Sequence, residues 1–132
     1  MKTALLSIGL LALAAAIPAW AHHSFAAYYD EQQNIKVEGK VTAFLYRSPH
    51  SFVELESTDE NGVTTRWAAE WFSSSRLTRV GIVQDTFKPG DHVIITGAPG
   101  RAAGDHRVHL KTIVRPSDGF KFDQMARGGR YR

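Results

Sequence analysis

The stretch "SSSRLTRVG", Ser73 to Gly81, decides the fold of this chain. A serine hydroxyl at a helix start accepts from a backbone N–H that would otherwise lack a partner, so Ser73 or Ser74 is a ready cap. Leu77 and Val80 stand at a helical spacing of three, and Gly81 supplies a stop. A short helix is therefore expected here. What lies on either side reads as strand.

Upstream, "IKVEGKVTAFLY" (Ile35 to Tyr46) alternates Val37, Gly39, Val41, Ala43 and Leu45 against Glu38, Lys40, Thr42, Phe44 and Tyr46, the period of a half-buried strand. Gly39 marks a bulge or sharp coil within it. After the break "RSPH", Ser51 to Ser57 sets Val53 and Leu55 against Phe52, Glu54 and Glu56. The Asn61-Gly62 pair tolerates the positive φ of a tight hairpin, so Val63 to Trp71 should fold back as a third strand. Downstream, the turn "KPGD" (Lys88 to Asp91) feeds Val93 to Thr96, and Arg107 to Val114 supplies the last strand. The order β-β-β-α-β-β is that of the oligonucleotide/oligosaccharide-binding (OB) barrel, in which the helix plugs one end. The expected fold class is all-β with one short helix, a five-stranded OB-fold-like barrel; an open five-stranded sheet with one helix is the competing architecture.

The start of the chain reads as an export signal. Met1 and Lys2 give a positive start, Ala4 to Ile17 form an apolar run, and Pro18 breaks it before Ala19, Trp20 and Ala21, with cleavage expected after Ala21. That run of about 14 residues falls short of the roughly 18 to 20 needed to span a bilayer, so no membrane span is expected. The expected localisation is periplasmic. The expected organisation is a signal peptide at 1–21, an N-terminal segment at 22–34, one OB-like domain at 35–118 and a basic flexible tail at 119–132.

The sequence has 16 basic and 13 acidic residues, six histidines and no cysteine. Thiol chemistry and thiolate metal sites are excluded, and stability must come from packing. The small positive excess, concentrated in the arginine-glycine tail "MARGGRYR", is no nucleic-acid signature. The glycine-flanked serine elbow, the phosphate-binding glycine loop and the His-Glu-x-x-His helix are all missing from the sequence, so no catalytic activity is expected.

The segments "AHHSFAAYYD", "VEGKVTAF", "SPHSFVEL", "RWAAEW" and "FKPGDHVIITGAP" together resemble the domain of unknown function 6152, a family of small exported bacterial proteins. The resemblance implies export, a compact barrel-like β domain and a recurring histidine-rich start. It carries no activity over. The serine of "SPH" departs from the asparagine more usual in that loop.

Two candidate sites follow from the residues. If the signal is cut after Ala21, His22 presents a free amine and an imidazole that chelate one metal, with His23 beside it. Nitrogen donors of this kind suit the tetragonal geometry of copper(II), with His50 as third ligand and Asp30 as a weaker fourth. The chemical analogy is the histidine brace of copper proteins, an analogy of site and not of fold. His106 and His109, three apart on a strand, make a poor chelating pair. The other candidate is the face of the second and third strands, where Phe52, Arg66 and Trp67 could hold a small molecule or an envelope protein partner. A binding or accessory module for such a ligand is the leading expectation, with copper(II) as alternative cofactor. A single-strand nucleic-acid binder has the right fold and the wrong compartment.

Overall fold

The computed structural model describes residues 24–126. The expected signal peptide and its cut, His22 and His23, and the arginines at 127, 130 and 132 lie outside the described residues. Within them the chain forms α1 (Phe25–Tyr28), β1 (Ile35–Leu45), β2 (Phe52–Thr58), β3 (Thr64–Glu70), α2 (Ser74–Arg79), β4 (His92–Pro99), β5 (Arg107–Arg115) and β6 (Phe120–Asp123). β1 pairs antiparallel with β2 and β4, β2 with β3, and β4 with β5. Ala68–Glu70 of β3 then pair in parallel with Arg107–His109 of β5 and close five strands into a barrel. This is the OB-like barrel that the helix between the third and fourth strands calls for.

The helix forms as its sequence requires. The Ser73 side chain accepts from the Arg76 N–H, and Gly81 follows the last turn at φ 81°. Leu77 and Ile82 are fully buried and join the core. The centre of that core is Trp71, which meets Phe122 edge-on at 5.0 Å and lies 6.3 Å from Phe87.

Two expectations need correction. The irregularity of β1 falls between Val41 and Ala43, not at Gly39. Gly39 serves a different purpose: a Cβ there would lie 2.1 Å from the Glu56 carbonyl oxygen, so its missing side chain lets β1 and β2 approach. The bulge at Thr42 inverts the side-chain parity of the rest of the strand. Val37 and Val41 are buried as expected, whereas beyond the bulge Phe44 and Tyr46 pack against the core in place of Ala43 and Leu45.

The segment expected as a tail from residue 119 begins as a strand. Gly119 turns the chain at φ 74°, and the Asp118 carboxylate accepts from the Phe120 N–H and from Arg115. β6 then pairs with β5 and buries Phe122 completely. Alternation of Phe120 and Phe122 drives this, since one face can bury an aromatic ring while Lys121 stays in water. The N-terminal segment likewise packs onto the barrel: Tyr29 is 1 % exposed and bridges to Gly100. No helix among the described residues is long and apolar enough to cross a membrane.

Candidate functional site

The loop "RSPH" is fixed by the residue after it. Ser51 is fully buried; its hydroxyl accepts from the Arg47 N–H at 3.1 Å and donates to the Arg47 carbonyl at 3.0 Å. Its backbone donates to the Phe72 carbonyl and accepts from the Trp71 N–H. The Ser48–Pro49 peptide is cis. The Ser51 bonds hold His50 just before β2, and the β2–β3 register sets Phe52 opposite Glu70. His50 Nδ1 lies 2.6 Å from Glu70 Oε1, with the two side chains 35 % and 12 % exposed. A carboxylate oxygen accepts, so Nδ1 is the nitrogen of His50 that donates to Glu70. The other oxygen of Glu70 accepts from the Tyr29 hydroxyl. Burial, together with that bond and the Glu70 charge, pushes the Tyr29 phenol well above its usual range, so it remains a donor.

The N-terminal segment straps this corner. The Asp30 N–H donates to the Pro99 carbonyl and the Arg101 N–H to Tyr28, each at 2.9 Å, while Arg101 Nε donates to the Ala26 carbonyl. Phe25 lies flat on His109 with ring centroids 3.7 Å apart, and its ring is 5.0 Å from that of His50. His109 is 4 % exposed, with Nδ1 2.6 Å from Glu31 Oε1 and 3.0 Å from Lys111 Nζ; Lys111 also binds Glu31. Burial pushes the His109 imidazole below its ordinary value against the bond to Glu31. Its Nε2 has no hydrogen-bond partner among the described residues. Gly97 makes room for this strand, since a Cβ there would come within 1.9 Å of the His109 carbonyl oxygen.

Of the four expected copper ligands, His50 alone stands in this corner; His22 and His23 lie outside the described residues, and Asp30 is otherwise engaged. The Asp30 carboxylate accepts from the Gln32 N–H at 3.2 Å and from Gln33 Nε2 at 2.7 Å, closing its own turn. The carboxylate at His50 is Glu70. Among the described residues no group of three or more histidine, aspartate and glutamate side chains is close enough to hold a metal ion. Glu31, His109 and Lys111 stand in none of the motifs that the sequence offers; Phe25, Tyr29 and Glu70 stand in "AHHSFAAYYD" and "RWAAEW", but only the fold brings them to His50.

Phe52, Arg66 and Trp67 do not form one face. Phe52 and Arg66 point outward, and Arg66 Nε meets Glu56 at 3.2 Å. Trp67 pairs with buried Leu55 on the other face and packs against the core. Arg47 and Arg107 lie over the Phe52 ring at 5.3 and 5.9 Å. Arg66 and Trp67 do share an open groove of about 490 Å³ with Thr42, Glu54, Ala68 and His106, in which the His106 ring meets Trp67 edge-on at 5.1 Å. His92 is half-exposed, with Nε2 3.1 Å from Glu38.

No curated protein matches the sequence. A model described as a family of unknown function, DUF6152, matches residues 10–109, which take in the strapping segment, the "RSPH" loop, Glu70 and His109. The chain belongs to that family.

Proposed function

We propose that this protein is an exported copper(II)-binding module, in which the amine and imidazole of an N-terminal His22, assisted by His23, share the ion with Nε2 of His50. The observation that carries this reading is the His50–Glu70 pair. A carboxylate on Nδ1 leaves Nε2 as the nitrogen for a metal, and the His50 side chain is 35 % exposed. Chain reach supports it. Two residues stand between His22 and Phe25, so their Cα atoms are at most about 11 Å apart, and the Phe25 ring is 5.0 Å from that of His50. A nitrogen-rich donor set without thiolate favours copper(II) over softer or harder ions. Elemental analysis of protein purified from the periplasm with its native terminus tests the proposal. Stoichiometric copper and a mature start at His22 are expected. A start downstream of His23, or protein purified without copper, would contradict it.

A second reading, a module for a small molecule or an envelope protein partner, draws on the groove beside Trp67 and His106. It lies on the third strand and the loop between the last two barrel strands, surfaces that OB folds use for ligands. Its test is quenching of tryptophan fluorescence by candidate oligosaccharides. The quenching should disappear in Trp67→Ala; a response that persists there would point away from the groove.

A further inference from the structure

We infer that Arg47 and Arg107 form an anion site over the Phe52 ring, and that the ligand of the adjoining groove is a sugar with a carboxylate at one end. The inference rests on the groove reading above and is independent of copper. Both arginines reach Phe52 from fixed backbone. The Arg47 N–H and carbonyl are held by the Ser51 hydroxyl, the Arg107 carbonyl accepts from the Gly100 N–H, and Arg107 pairs with Ala68 across the parallel seam that closes the barrel. Their charged ends lie 5.3 and 5.9 Å from the centre of the half-buried ring, and both side chains are exposed. Neither guanidinium has a hydrogen bond or an ion pair among the described residues. Other arginines do: Arg66 binds Glu56, Arg101 the Ala26 carbonyl, and Arg115 both Asp91 and Asp118. Glu70 stands opposite Phe52, but its two oxygens are taken by His50 and Tyr29. A guanidinium presents a planar fork of donors that matches a carboxylate, so two that converge on one ring with those donors unused suit an anion bound across it.

The same side of the sheet leads into the groove. Strand residues two apart share a face, so Glu54 and Ala68, which pair with each other and line the groove, stand beside Phe52 and Glu70. His106, also in the groove, immediately precedes Arg107. The groove offers ring surface from Trp67 and His106, the Thr42 hydroxyl, and the Glu54 carboxylate, which forms no ion pair among the described residues. A sugar has apolar ring faces and hydroxyl edges, and a free carboxylate accepts from hydroxyls. A neutral sugar leaves the two arginines unused, whereas one that ends in a carboxylate engages the groove and the arginines together. A nucleic acid fits less well, because a phosphate at every unit sets one beside Glu54.

The experiment titrates the full chain by calorimetry with cellobiouronate, a disaccharide carrying a carboxylate on its terminal ring, and with cellobiose, the same disaccharide without it. Wild type should bind the acidic sugar about 10-fold more tightly, as a charge-assisted contact provides, and added salt should erode that preference alone. Arg47→Gln and Arg107→Gln should each remove most of the preference and leave cellobiose binding unchanged. Arg79→Gln, which takes the same charge from α2, should leave both affinities unchanged. Thermal melts show whether each variant is folded. Equal affinity for the two sugars, or a preference that survives in the Arg47→Gln, Arg107→Gln double variant, would overturn the anion site and leave the groove reading standing. A wild type that binds neither sugar would overturn both. Binding of oligothymidylate in place of either sugar, lost in the same two variants, would overturn the sugar as the ligand class and give the arginines to nucleic acid.

Discussion

Two corners of the barrel present histidine beside an aromatic ring, and they are built in opposite ways. At the groove, His106 touches Trp67 edge-on, and both face an open volume of about 490 Å³. At the start of β2, the polar atoms of His50 and Glu70 and the rings of Phe25, Tyr29 and His109 are mutually engaged, and a segment from outside the barrel lies across them. An open corner adapts to a ligand and pays ordering entropy when it binds. A pre-ordered corner has settled that cost in folding, which suits a small ion with strict geometric demands.

The contrast breaks most visibly if Tyr29 is removed. Tyr29→Ala should cost about 3 to 5 kcal/mol, as truncation of a fully buried aromatic does, and should loosen the strap along with Glu70. Urea melts measure the first effect and hydrogen exchange at Phe25 to Tyr29 the second. A loss below about 1 kcal/mol would mean the strap is not structural.

Leu77→Ala should cost about 2 to 4 kcal/mol because it opens a cavity under the helix that plugs the barrel common to both corners. Arg76→Ala should cost about 0.5 to 1 kcal/mol, the worth of its guanidinium lying 3.6 Å from the Phe72 ring centroid. Equal effects in parallel urea melts would undo the plug. Trp67→Ala sharpens the comparison from the other side. It removes a half-buried ring, so it should cost about 1 to 2 kcal/mol and leave copper affinity unchanged. A change in affinity would couple the two corners.

The pH dependence is shallower. Burial lowers His109, whose charged neighbours are Glu31, Lys111 and Glu70, so near and below about 6.5 the unfolded chain binds more protons than the folded one. Its contribution to stability is present above that pH and is lost as pH falls toward the folded value. Burial by itself raises Glu31, but bonds from Lys111 and His109 outweigh it and leave the carboxyl lowered, so its contribution disappears further into acid. Melting temperatures at closely spaced pH values should therefore decline in two stages. His109→Phe should abolish the upper one, and a curve unchanged by that substitution would contradict the assignment.

Much of the fold is legible in the sequence because the signals are local: strand alternation, the serine cap and the glycine stop each act within a few residues. Two failures have physical causes. Thr42 carries no glycine to announce its bulge, so the inversion that turns Phe44 inward is set by pairing with β2 and not by β1 itself. β6 is only four residues long and lies among charges, so its Phe120 and Phe122 alternation is read as part of a basic tail. The site was harder to see. His50 stands out, but its partner Glu70 depends on a hairpin register set by Asp59, whose carboxylate accepts from the Asn61 and Val63 N–H groups and so makes a loop longer than a two-residue Asn-Gly turn. A two-residue turn at Asn61-Gly62 would have set Phe52 opposite Trp71 instead of Glu70. Tyr29 and His109 are joined to the corner by packing across the barrel, which no local pattern encodes.

The most direct measurement is a copper(II) titration, followed by d–d absorbance, of the protein starting at His22, of the same protein with one residue added before His22, and of His50→Ala. Wild type should bind most tightly and the extended form far more weakly, because its chelating amine becomes an amide. His50→Ala should fall between them, since one donor is lost while the chelate ring survives. An extended form that binds as tightly as wild type would contradict the terminal chelate, and with it the purpose assigned to the strapped corner.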